Sequence, residues 1–146
     1  MNKLLGTVLA GAVMVGLAVP GAVRAQEALA ARQEGFKASK AAMGAIKDIL
    51  AGRQAIDAAL PHAEALHRVA LAVPGWFPPG SDQGKTEAKP AVWSDATGFA
   101  AASARFATAS QALLVAVQAG DPAAVQARFG ELGGTCKSCH DSYRAE

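Results

Sequence analysis

Cys136-Lys137-Ser138-Cys139-His140 is the stretch on which the reading of this chain turns. Two cysteines three positions apart, followed at once by histidine, form the attachment signature of a c-type haem. The reason is helical geometry. Positions i, i+3 and i+4 share one face of an α-helix. Cys136 and Cys139 on such a face reach one edge of a porphyrin as thioethers, and His140 beside them reaches its iron. Other uses of paired cysteines fit less well. A disulfide across so short a gap constrains the unfolded chain little. A thioredoxin-like redox site expects a strand-helix context that the surrounding sequence lacks. A zinc site would have to recruit a distant ligand such as His62 or His67.

Working outward, Val125, Phe129, Leu132, Cys136, Cys139, His140 and Tyr143 form one apolar stripe at helical spacing. Asp121-Pro122 supplies a cap and a first turn. The motif is therefore expected on the buried face of a last helix. Upstream, Val92, Phe99, Phe106 and Leu113 recur every seven residues between Pro90 and Gly120, with Ala96, Ser103, Ser110 and Val117 between them. That predicts one helix, slightly weakened at Gly98. Pro74 to Pro90 is a loop rich in Pro and Gly, with Trp76 and Phe77 as apolar anchors. A helix is expected from about Gln54 to Ala72, kinked or starting late because of Pro61. Another runs from about Glu27 to Ala51, with Leu29, Phe36, Met43 and Leu50 as its seam and Gly52 as its stop. Alanine, the best helix former, is the commonest residue, and strand patterns are absent. The fold class is all-α, an antiparallel four-helix bundle holding a covalent haem in its core.

The first 25 residues read as a secretory signal peptide. Lys3 precedes an apolar run from Leu4 to Val19, Pro20 and Gly21 break it, and Val23-Arg24-Ala25 offers a cleavage site. The run is shorter than the ~20 residues of a spanning helix. Two domains of sequence follow: a leader over 1–25 and a bundle over 26–146, destined for the periplasm with no membrane attachment after cleavage. Of 14 basic residues, Lys3 and Arg24 leave with the leader, so 12 remain against 12 acidic ones. A near-neutral chain gives no case for nucleic acid. No acid/base pair or nucleophile cluster suggests an enzyme.

His140 supplies one axial ligand, and the opposite face decides the chemistry. A second strong ligand favours electron transfer; an apolar face leaves room for small gases. Met43 is the one methionine remaining after the leader, and it shares a helix face with Phe36. The two lie ~10 Å apart along the axis, so only one can sit over an iron. Spacing does not choose between them.

The chain resembles the cytochrome c prime family, the class II c-type cytochromes. The resemblance rests on Arg32-Gln33-Glu34-Gly35-Phe36, on Lys89-Pro90-Ala91-Val92-Trp93-Ser94-Asp95, and on Cys136 through His140 with Tyr143-Arg144. It implies a periplasmic, homodimeric four-helix bundle with one covalent haem c per chain. It implies high-spin, five-coordinate iron that binds nitric oxide and carbon monoxide. It implies a cofactor-binding set of Cys136, Cys139, His140, Arg32, Gln33, Phe36 and Arg144, with His140 as metal ligand, Arg32 on a haem propionate and Arg144 beside the proximal face. Phe36 matches an apolar distal residue that is leucine in many members. Taken alone, Arg144 reads equally as a solvated cation at a helix end. Gly35, Ala38, Ala42, Ala59 and Ala63 would permit close helix approach, in a dimer or within the chain. The alternative is a low-spin electron carrier with Met43 as sixth ligand.

Overall fold

The computed structural model describes residues 20–145. Most of the expected leader therefore lies outside the described residues. Four long helices, α1 (Pro20–Asp48), α2 (Leu60–Ala72), α4 (Ala96–Ala119) and α5 (Pro122–Tyr143), build the bundle, with α3 (Ala91–Ser94) as a single turn before α4.

Local chemistry sets each boundary. α1 runs into a π-helical turn, Ile49–Arg53, and stops where Gly52 takes φ 81°, a left-handed conformation that side chains disfavour. Pro61 sits in the first turn of α2, where its missing N–H is harmless. A 3-10 turn, Ile56–Ala59, precedes it, so the late start, not a kink, is what occurs. α4 ends on Gly120 at φ 68°. Asp121 opens α5 by accepting hydrogen bonds from the amides of Ala123 and Ala124.

α1 is described from Pro20 and runs through Gln26 without interruption. One expectation needs correction. The third helix is not continuous from Pro90. Asp95 departs from helical geometry (φ −113°, ψ 58°), and its side chain caps the Gly98 amide. The interruption takes Ala96 off the seam, where it is exposed, while Val92, Phe99, Ser103, Ser110, Leu113 and Val117 are buried as expected.

α1 packs on α2, α2 on α4, and α4 on α5, whereas α1 and α5 hardly touch. A core cluster closes one end of the bundle. Ile46 of α1, Leu66 of α2, Leu113 of α4, and Val125 and Leu132 of α5 are wholly buried there, each contributing about 1.5–3 kcal/mol by leaving water. Ala42, Ala59 and Ala63 belong to the same cluster, so these small residues serve packing within the chain. A second cluster of Val73, Val92 and Phe99, with Trp76, Phe77, Trp93 and Tyr143 around it, forms the other end on the α2–α4 side. Burial along the two flanking helices is one-sided. On α5 no residue beyond Leu132 is buried, and on α1 between residues 21 and 41 only Arg32 is. The bundle is thus closed at one end and open between the N-terminal half of α1 and the C-terminal half of α5.

Candidate haem site

Cys136, Cys139 and His140 occupy the part of α5 beyond its last buried residue. Cys136 and Cys139 are half-buried there and His140 is exposed, in place of the fully buried face expected. Both cysteines are free thiols. Burial pushes their pKa values up; Cys139 is raised further by Cys136 and drawn back by Arg105. The pKa of His140 is lowered by desolvation and by Arg144, against Asp141 and Glu87. α5 is helical throughout the motif, which removes the strand-helix context of a thioredoxin-like site. Among the described residues no cluster of three His, Cys, Asp or Glu side chains forms. His62 and His67 stay on α2, and His67 is engaged with Ser110 at 3.0 Å.

Across the opening, α1 carries Phe36 and Arg32. Phe36 is 39% exposed and meets Trp76 edge to face, at 5.5 Å between ring centroids and 86° between planes. Trp76 comes this close because residue 35 is glycine: a Cβ there would overlap the outer edge of the indole. Met43, by contrast, packs against the closed-end cluster. The two candidates for the distal face thus have different surroundings: Phe36 belongs to the aromatic end, Met43 to the aliphatic core.

Arg32 is 4% exposed. Its Nη2 donates to the Ser81 carbonyl at 3.1 Å and to Thr86 Oγ1 at 2.9 Å. Its guanidinium stacks 4.5 Å from the centre of the Phe77 ring, a cation–π contact. Burial lowers its pKa. Its Nη1 has no partner among the described residues. A buried charged donor left unpaired costs about 1–3 kcal/mol or more, so the site favours an anionic group there. Gln33 is exposed and donates to the Lys85 carbonyl at 2.8 Å.

Sequence reasoning missed the segment joining these two sides. Residues 81–86 accept the bonds from Arg32 and Gln33. The next three residues bind the end of α5. Lys89 N donates to the Tyr143 carbonyl at 2.9 Å and Ala145 N to the Glu87 carbonyl at 2.7 Å, forming an antiparallel bridge between Ala88 and Arg144. Arg144 places both Nε and Nη2 at 2.7 Å from Glu87 Oε2. It is a paired cation beside His140, not a merely solvated one. Tyr143 donates to Asp95 Oδ2 at 2.7 Å and meets Phe99 edge to face. The Asp95 cap was also missed, although a capping side chain three residues before the amide it holds is a readable signal; the loop's partners carried no comparable signal.

Three observations bear on whether this site suits a haem: the opening between α1 and α5, the unpaired Arg32 donor, and two half-buried free thiols followed by His140. They fit a c-type haem, whose porphyrin is broad and apolar and whose propionates are anionic. Residues 27–144 match the family described as Cytochrome C'.

The chain belongs to the cytochrome c' family. Cytochrome c' of Pararhodospirillum photometricum is 41% identical over 115 residues, 77% of this chain and 92% of that protein. Cytochrome c' of Rubrivivax gelatinosus is 55% identical over 69 residues, 47% of this chain and 54% of that protein. The crystal structure of cytochrome c' from Thermochromatium tepidum superposes with a TM-score of 0.80 at 30% identity, covering 84% of this chain and 97% of that one. A nitric oxide complex of a variant of the Alcaligenes xylosoxidans protein superposes with a TM-score of 0.77 at 28% identity, covering 84% and 96%. The four-helix bundle is thus the cytochrome c' bundle, and the cofactor class is c-type haem.

Proposed function

We propose that this chain is an exported cytochrome c' that binds nitric oxide, and carbon monoxide when reduced, at a five-coordinate, high-spin haem iron. The observation that carries the reading is Phe36. It is a large apolar side chain left 39% exposed on α1, on the open side of the bundle. The haem supplies an iron with one axial position for a small ligand. The chain supplies the rest. Cys136 and Cys139 would hold one haem per chain through thioethers, His140 would coordinate the iron, and Arg32 Nη1 would meet a propionate. Gln33 holds the loop beside Arg32, and Arg144 lies at the proximal side. Phe36 would keep water and bulky ligands from the distal face. It offers no hydrogen bond, which disfavours bound dioxygen relative to nitric oxide and carbon monoxide. Structures of the Alcaligenes xylosoxidans relative with nitric oxide and with carbon monoxide support the ligand class.

The role is nitric oxide binding or scavenging rather than turnover of a substrate. Signal cleavage before Gln26 would deliver the chain to the periplasm, and the family match beginning at residue 27 supports that boundary. In the mature chain the N-terminal part of α1 begins near Gln26. We also propose a homodimer. Mass spectrometry of protein from a host that matures c-type cytochromes tests the assignment. It should find a chain beginning at Gln26 and carrying one haem that denaturation does not remove. A mature chain without added haem would refute it.

A further inference from the structure

We propose that Thr86 is a positioning residue that ties Arg32, on the α1 side of the haem opening, to the turn of α5 that carries His140. The proposal rests on the haem reading above and goes beyond it. Few residues of α1 and α5 come close, whereas the loop segment 81–89 is bonded both to Arg32 and to the end of α5. Thr86 bridges that gap with one atom. Its Oγ1 accepts from Arg32 Nη2 at 2.9 Å and from Ala88 N at 3.1 Å. Ala88 is the residue bridged to Arg144, and Glu87 beside it holds the Arg144 side chain. Arg144 caps the end of α5 in an extended conformation, and its amide donates to the His140 carbonyl at 3.0 Å.

The chain of contacts is short and polar, and part of it is buried. Arg32 cannot shift without changing its bond to Thr86, because Phe77 covers its guanidinium. The strap formed by residues 81–89 cannot shift without pulling on the end of α5, because its backbone and the Glu87 and Lys89 side chains are anchored there. Hydrogen bonds to a charged group are the stronger ones, which favours a fixed strap while Arg32 is in place. A leucine or valine at position 86 would leave the Arg32 fork and the Ala88 amide short of an acceptor. The distal and proximal sides would then move independently.

The test uses the ferrous holoprotein and the iron–histidine stretching band in its resonance Raman spectrum, which reports the hold on His140. Thr86→Val, which keeps the shape and removes the acceptor, should lower and broaden the band. Thr86→Ser, which keeps the acceptor, should restore it. Arg32→Lys should shift the band in the parent and leave it unmoved in the Thr86→Val background, since coupling through Thr86 predicts non-additivity. A loss of thermal stability alone would move none of these signatures selectively. An unmoved band in Thr86→Val, an equal shift in Thr86→Ser, or additive effects of the two changes would overturn the proposal. Should Thr86→Val not accumulate with haem, Thr86→Ala removes the same acceptor, and an unmoved band there overturns the proposal. Failure of the parent protein to carry haem would overturn the haem reading and this proposal together. A parent with haem and an unmoved band would overturn Thr86 alone.

Discussion

Truncating Phe36 to alanine should open the distal face and speed carbon monoxide binding. A ligand reaching that face must displace the ring from Trp76, with which it makes an edge-to-face pair at 5.5 Å. Such a pair is worth about 0.5–1.5 kcal/mol beyond area burial. At about 1.4 kcal/mol per factor of ten, losing it accounts for roughly a two- to twelvefold rise in association rate. Release of the steric clash adds to that, and the affinity rises with the rate. The fold should survive. Phe36 is already 39% exposed, so the loss should fall well short of the about 3–5 kcal/mol seen when a buried Phe becomes Ala. Flash photolysis of the ferrous carbon monoxide complex gives the rate, and equilibrium titration gives the affinity. Thermal melts check integrity. An intact protein with unchanged rate and affinity would refute the steric argument.

Met43→Ala should leave the absorption spectrum nearly unchanged and lower stability by about 1–3 kcal/mol, as a half-buried residue against the closed-end core; conversion from low-spin to high-spin iron would instead reveal Met43 as a ligand. Gly35→Ala should push Trp76 away from Phe36 at about 1–3 kcal/mol of overpacking cost, and an unchanged melting temperature with unchanged tryptophan fluorescence would contradict that contact. The Tyr143–Asp95 hydrogen bond should shape stability at both ends of the pH scale. It holds the Asp95 carboxyl below its usual range, with help from the Gly98 amide and against slight desolvation. That contribution is complete above the ordinary carboxylate value of about 3.9 and is lost as pH falls through the lowered folded value. The same bond raises the Tyr143 hydroxyl, so its contribution is complete below about 10 and is lost as pH rises through the raised value. Tyr143→Phe should flatten both limbs of a melting-temperature profile; the parent's profile in the variant would contradict the assignment.

Helix identity was legible because apolar spacing, glycine stops and proline starts all agree with one another. Gly52, Gly120, Pro61 and Asp121-Pro122 each act as their chemistry predicts. The seam on α1 was harder to read. Leu29, Phe36, Met43 and Leu50 repeat every seven residues, yet the buried apolar positions are Ala42 and Ile46, with Ile49 in the turn that follows. Periodicity finds an apolar face but does not say whether protein or cofactor covers it. The break at Asp95 was missed because one side-chain cap outweighed an unbroken apolar repeat. The proposed haem ligands, Cys136, Cys139 and His140, form a local motif. The strap was not legible, because residues 81–89 have no repeating pattern and their partners are 49 to 57 positions away. Long-range polar pairing of a loop has no sequence period to reveal it.

The most direct test of gas binding at an open iron is the visible absorption spectrum of the purified holoprotein, oxidised and reduced, before and after addition of carbon monoxide or nitric oxide. The account predicts a high-spin, five-coordinate spectrum that shifts when the gas is added. A low-spin spectrum indifferent to both gases would contradict it and return the sixth position to Met43 or a histidine.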